Sequence, residues 1–156
     1  MGIRSWDRSN QSENLRIFEI FKKAYEVEAD LLGVSRHLFF PLQLALDDLK
    51  NTLDEVWVLD ISGTLAGAIF LEKSQDSITI SNLVVDPKFF RQGIAKSLIT
   101  LILKSYPNLE FFVRTGALNF PAIQLYQKFQ FLHVSEETVE HNIRILKLKR
   151  HRHECC

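Results

Sequence analysis

Apolar residues recur with a helical beat near the start of the chain. Counted at about 100° per residue from Ile17, the side chains of Ile20, Phe21, Ala24, Val27 and Leu31 fall on one narrow stripe. The spacing predicts a long amphipathic helix from about Glu13 to Leu32, capped by Ser12 and ended by Gly33. Glu19, Glu26 and Asp30 project away from the stripe, whereas Glu28 falls in its middle. One acid is thus placed on a face that otherwise favours burial. A short strand, "GIRSW", precedes this helix, and a second helix is expected after "FFP", with Leu42, Ala45, Leu46 and Leu49 on one face.

The pattern then changes. "EVWVLDISGTLAGAIFLEK" reads as two strands joined by a turn at Ser62-Gly63, and "SITISNLVV" as a β-branched strand leading to Asp86-Pro87. Ile94, Leu98, Leu101 and Ile102 predict a helix from about Arg91 to Lys104. "LEFFVRT" reads as a strand and "NFPAIQLYQKF" as a helix opened by Asn119 with Pro121 in its first turn. "FQFLHV" and "IRILKLK" close the chain as two strands. The order predicts an α/β (α+β) fold built on a mixed sheet, with hairpins at both ends and a strand-helix-strand unit between them. A purely parallel, doubly wound sheet fits this order less well.

Composition narrows the class. At 156 residues, 46% hydrophobic and 24% charged, the chain is expected to form one domain over residues 1–156, with about 150–156 a frayed tail. Zero formal net charge argues against broad attraction to nucleic acid or a membrane surface. No apolar run reaches membrane-spanning length, and "MGIRSWDRSN" has no signal core, with Trp6 where myristoylation wants serine or threonine. The only cysteines, Cys155 and Cys156, are adjacent, so no internal disulfide framework is possible and a reducing, cytoplasmic setting is expected. His151, His153, Cys155 and Cys156 offer soft metal ligands, but terminal residues usually fray, and no metal requirement is expected. His153 also occupies the place of the cysteine that a prenylation box requires.

The stretch "LVVDPKFFRQGIAKSL" carries the first chemical signal. A glycine inside a helix costs about 1 kcal/mol relative to alanine, yet Gly93 sits where the helix should begin. A helix opening just after a strand presents free N–H groups and partial positive charge, and Gly93 would let an anion approach them beside Arg91 and Lys96. A tight turn needed only for packing would explain the same glycine.

The six residues Phe90, Arg91, Gln92, Gly93, Ile94 and Ala95 resemble the acetyl-CoA-binding segment of the GNAT superfamily of N-acetyltransferases, in which Gln/Arg-x-x-Gly-x-Gly/Ala opens a helix. Phe90 departs from the usual polar first position. Downstream, "NFPAIQLYQKFQF" resembles the family's second cofactor segment: Asn119, Ala122, Leu125, Tyr126, Lys128 and Phe131 match, and Gln130 stands where glycine is common. The resemblance implies a GNAT-like, mostly antiparallel sheet flanked by helices on both faces, with acetyl-CoA as cosubstrate. It implies pyrophosphate contact from the backbone around Arg91 to Lys96, a contact from Asn119, and pairing of Val84 and Val85 with the pantetheine arm. The N–H of Leu83 or Val84 would meet the acetyl oxygen, and Tyr126, otherwise a core aromatic, would protonate or hydrogen-bond the departing thiolate.

By the same resemblance the acceptor amine attacks directly in a ternary complex. Many family members carry a glutamate on the strand before the proline turn, but this chain has Thr79, Ser81 and Asn82 there. Glu28 is the substitute to test as base, or as the group that holds the substrate ammonium; an acid at the stripe edge or bound to a core partner is the competing reading. Tyr25, Thr79, Ser81 and Thr115 are weaker candidates, and His133 and His141 are expected to have no catalytic part. The expected function is N-acetylation of a primary amine on a small molecule or peptide, with a homodimer possible. The alternative is a non-catalytic acyl-CoA-binding sensor or regulatory module.

Overall fold

The computed structural model describes residues 1–152. The first strand, β1 (Gly2–Ser5), is followed by helix α1 (Gln11–Leu32). Its cap is Asn10 and not Ser12. Asp7 accepts from the Ser9 amide and hydroxyl, closing a turn that leaves Asn10 extended, and Asn10 Oδ1 then accepts from the Glu13 N–H at 3.1 Å. At the other end Gly33, at φ 70°, sends its N–H to the Ala29 and Asp30 carbonyls.

The expected second helix is broken into two 3₁₀ turns, Arg36–Leu38 and Phe40–Gln43, and a short helix α2 (Leu46–Lys50). Pro41 lies in the first turn of the second 3₁₀ segment, where its missing N–H is tolerated, and the break before α2 falls at Leu44 and Ala45, which are extended at ψ 140° and 166°. This segment becomes a wall and not an amphipathic rod.

Strands β2 (Glu55–Ile61) and β3 (Thr64–Lys73) form a hairpin whose two turn residues, Ser62 and Gly63, both have positive φ. They are followed by β4 (Ser77–Val85), α3 (Ile94–Ser105), β5 (Glu110–Gly116), α4 (Phe120–Lys128), β6 (Leu132–Val139) and β7 (Ile143–Arg150). The seven strands make one sheet in the order β1-β2-β3-β4-β5-β7-β6, antiparallel except for the parallel pair β4 and β5. A parallel pair requires a crossover, and α3 supplies it.

Both faces of the sheet are covered. Alternation along β2 and β3 turns Val58, Ala68 and Phe70 toward Ile17, Ile20 and Phe21 of α1, and turns Leu59, Ile69 and Leu71 toward Leu98 and Ile102 of α3. The α1 stripe is buried only in its first half: Ile17, Ile20 and Phe21 are at most 1% exposed, whereas Leu31 is 44% exposed. The second half, which carries Glu28, runs beyond the core and borders a cleft.

Gly67 of β3 seats α3 against the sheet. A Cβ there would lie 2.9 Å from both Ile94 Cγ2 and the Val84 carbonyl oxygen, so the first residue of α3 could not keep its position. Gly67→Ala is expected to lower stability by about 1–3 kcal/mol through overpacking, read as a lower midpoint in urea at unchanged slope.

Candidate functional site

The site begins where two strands part. β4 and β5 pair from Ser77/Glu110 to Ile80/Val113 and then diverge. Beyond that point β4 is bonded only to β3, with a register shift opposite Phe70 and Leu71 that leaves Ser81 as the extra residue. The Asp86 N–H bonds the Ala66 carbonyl at 2.8 Å, and polar groups alternate along a strand. Val84, opposite Ala68, therefore turns its N–H and C=O to β3, while Leu83 and Val85 turn theirs to the open side. Of the edge residues expected at Leu83, Val84 and Val85, Leu83 and Val85 face the open side and Val84 is taken up by β3.

Past Val85 the chain makes a 3₁₀ turn over Pro87–Phe89 and enters α3 at Ile94, not at Arg91. Arg91 (φ 64°) and Gly93 (φ 76°) are both left-handed, which a right-handed helix cannot include. Gly93 is the residue before the helix. Its expense is conformational, because a Cβ there would touch nothing within 4 Å but would hold a left-handed backbone. The first α3 bond runs from the Ser97 N–H to the Gly93 carbonyl at 2.9 Å, so the N–H groups of Ile94, Ala95 and Lys96 have no intrahelical acceptor, and no side chain caps them. Arg91, Gln92 and Lys96 are exposed around this end.

An ion pair fixes the loop before it. Asp86, fully buried, accepts from Arg16 Nη2 at 2.6 Å and from the Lys88 N–H at 3.0 Å. Burial pushes the Asp86 carboxyl up, but the Lys88 amide and Arg16 outweigh it and hold it below the usual carboxylate range. Arg16 also donates to the Leu65 carbonyl at 2.8 Å, which links α1 to β3 and to the approach to α3.

Two cavities meet beside the divergent strands. One, of about 680 Å³, extends toward the Leu38–Leu44 segment and the β6–β7 connection. The other, of about 420 Å³, runs along Val84 and Val85 to Arg91 and Ala95. Tyr25, Glu28, Leu83, Asn119, Ala122 and Tyr126 line both.

The polar groups at this junction come from separate elements. Asn119 caps α4 by accepting from the Ala122 N–H at 3.3 Å, which turns its amide nitrogen toward Glu28. Burial raises the Glu28 carboxyl above its ordinary range, and the Asn119 side chain and the Gly116 amide pull it only part of the way back. Tyr126, 5% exposed and 5.4 Å from the Phe131 ring, has its phenol pushed well up by burial and then by the Glu28 charge. The Tyr25 phenol is raised in the same way, first by burial and then by Glu28 and Tyr126. Tyr25 donates to Asn82 Oδ1 at 2.6 Å, bridging α1 to β4.

The other sequence candidates are dispersed. Ser81 bonds Asp54 at 2.5 Å and the Phe70 carbonyl at 3.2 Å, at the border of the larger cavity. Thr115 is buried in that cavity's lining and His141 is exposed on it, whereas Thr79 and His133 lie on neither cavity. No cluster of His, Cys, Asp and Glu suited to a metal occurs among the described residues; His153, Cys155 and Cys156 lie outside them. No described helix is long and apolar enough to cross a membrane. Sequence reasoning missed the roles of Arg16, Asp86, Asn82 and the Gly116 amide. The signal for Asp86 was an acid directly after the apolar run "LVV".

Known proteins resemble this chain in sequence or in fold. In Bacillus subtilis (strain 168), the UPF0157 protein YqkA is 30% identical over 109 residues, covering 69% of this chain, which spans 31% of that protein's length. The ribosomal-protein-S18-alanine N-acetyltransferase of Escherichia coli superposes with a TM-score of 0.73 at 17% identity, over 95% of this chain and 91% of that one. The putative acetyltransferase yncA of Salmonella typhimurium, solved with acetyl-CoA, superposes with a TM-score of 0.74 at 14% identity, over 100% of this chain and 96% of that one. The family model for the acetyltransferase (GNAT) domain matches residues 39–151, and the chain belongs to that family.

Proposed function

We propose that this protein is an acetyl-CoA-dependent N-acetyltransferase that moves an acetyl group directly to a primary amine of a small molecule or peptide. The observation that carries the reading is the open β4 edge at Leu83 and Val85, lying where a cavity leading to the uncapped α3 end meets one that holds Glu28. A thioester laid along that edge has its pyrophosphate end at Gly93–Lys96 and its acetyl end between Glu28 and Tyr126. The shared fold of yncA, which was solved with acetyl-CoA, supports acetyl-CoA as the cosubstrate.

Each residue then has a task. Glu28 takes a proton from the acceptor ammonium, which frees the nitrogen lone pair to attack the carbonyl carbon. The Leu83 N–H meets the carbonyl oxygen as it gains negative charge. As the carbon–sulfur bond breaks, its electron pair leaves on sulfur, the attacking nitrogen gives its second proton to solvent, and the Tyr126 hydroxyl hydrogen-bonds the departing thiolate. The Asn119 side chain and the Gly116 amide favour the ionised form of Glu28.

The test combines cosubstrate titration with CoA release over a panel of amines. Gly93→Ala forces an alanine into left-handed backbone, a strain of about 1–2 kcal/mol that relaxes by moving the α3 amides. Calorimetry is expected to show the Kd for acetyl-CoA raised about tenfold, with kcat at saturation within a few-fold of wild type. An unchanged Kd would remove α3 from the cosubstrate site. Binding with no CoA release across the panel would leave an acyl-CoA-binding module in place of an enzyme.

A further inference from the structure

We propose that the acceptor is a primary monoamine carried on an apolar body, with no carboxylate or second ammonium near the reacting nitrogen. This specificity rests on the transferase reading and concerns the larger cavity alone.

The outer walls of that cavity come from two segments. On one side the chain of the two 3₁₀ turns presents Leu38, Phe39, Phe40 and Leu44; on the other the β6–β7 connection presents Val139 and Ile143. Leu38, Phe40 and Val139 are 40%, 68% and 38% exposed, so apolar surface continues to the mouth on both lips. Isolated exposed apolar side chains are ordinary, but three facing one opening form a patch that a ligand can cover.

Charge sets the other limit. Apart from the exposed His141, Arg114 is the only basic side chain on this cavity among the described residues, and it is paired with Glu137. Glu28 is the acid at the inner junction. An ammonium suits that end. A carboxylate one carbon away, as in an amino acid, would be brought against Glu28, while Arg114 is already engaged by Glu137. A second ammonium on a short chain would leave water for apolar side chains and the neutral polar groups of Ser81, Asn82 and Thr115, with Glu140 the only further acid on this lining among the described residues. The volume, about 680 Å³, admits an aryl or branched alkyl group.

The test uses phenethylamine, phenylalanine, 1,4-diaminobutane and methylamine as acceptors at fixed acetyl-CoA, measuring CoA release. Phenethylamine is expected to have the highest kcat/KM, at least 100-fold above phenylalanine and tenfold above diaminobutane. Phe40→Ala alters an exposed side chain, and it is expected to raise KM for phenethylamine about tenfold while leaving that for methylamine unchanged. A kcat/KM for phenylalanine or diaminobutane equal to or above that for phenethylamine overturns the proposal, as does an equal effect of Phe40→Ala on methylamine. If no amine releases CoA, the transferase reading fails by itself. Calorimetry on the CoA-saturated protein then decides the specificity: phenethylamine binding at least tenfold tighter than phenylalanine sustains it, and any smaller preference overturns it.

Discussion

Glu28→Gln is expected to lower kcat by about 10²-fold or more and to abolish the rise of rate with pH on the acid side. General bases contribute typically 10²–10⁴-fold, and glutamine retains the shape without accepting a proton. Glu28 works only when ionised, and burial raises its carboxyl above its ordinary value, so the wild-type limb lies above about pH 4.3, the value for an unperturbed glutamate. A kcat/KM profile from pH 4.5 to 9 checks both points. An unchanged limb in the variant would assign that titration to another group.

The same substitution makes a prediction for stability, with its sign set by linkage. A carboxyl whose folded pKa is raised stabilises the fold fully only below its unfolded pKa and loses that contribution as pH rises through the folded value. At neutral pH the ionised Glu28 therefore opposes folding. Glu28→Gln is expected to raise Tm at pH 7, with the gain shrinking as the pH falls toward about 4. A slower variant that is also more thermostable would fit a group placed for chemistry. A variant that is both slower and less stable would point to a structural acid.

Much of this site could be read along the chain, and the remainder depends on pairings between distant segments. Glu28 could be singled out because helical periodicity fixes which face a residue occupies, whatever covers that face. Asn119 and Pro121 could be placed because a cap acts within three residues, and Asn119 does accept from Ala122. Asn10 displaced Ser12 because the Asp7–Ser9 turn decides where the chain can enter the helix. Leu83 could not be separated from Val84 by composition, since the direction of each amide follows from register with β3. Arg16 and Asp86 are 70 positions apart, and no local pattern links them. The left-handed pair Arg91 and Gly93 was half legible: a glycine invites positive φ, whereas an arginine gives no such sign.

Tyr126→Phe is expected to lower kcat about 10²-fold, comparable to removing one preorganised donor to a developing charge, while leaving the Kd for acetyl-CoA within a few-fold. The direction of its pKa shift decides what the hydroxyl does. An ordinary thiol has a pKa near 8.5, whereas the Tyr126 phenol, desolvated and facing the Glu28 charge, is pushed well above the ordinary tyrosine value of about 10. Full proton transfer from Tyr126 to a thiolate would therefore run uphill. A hydrogen bond costs no such transfer, and it strengthens as charge builds on sulfur, which is where a donor lowers a barrier. The prediction is a loss of kcat that shrinks with thioesters of more acidic thiols, whose leaving sulfur needs less help. Steady-state rates for a series of acetyl thioesters with both proteins check this. A variant penalty that is the same across the series would make Tyr126 a packing residue against Phe131 and would shift leaving-group assistance to solvent.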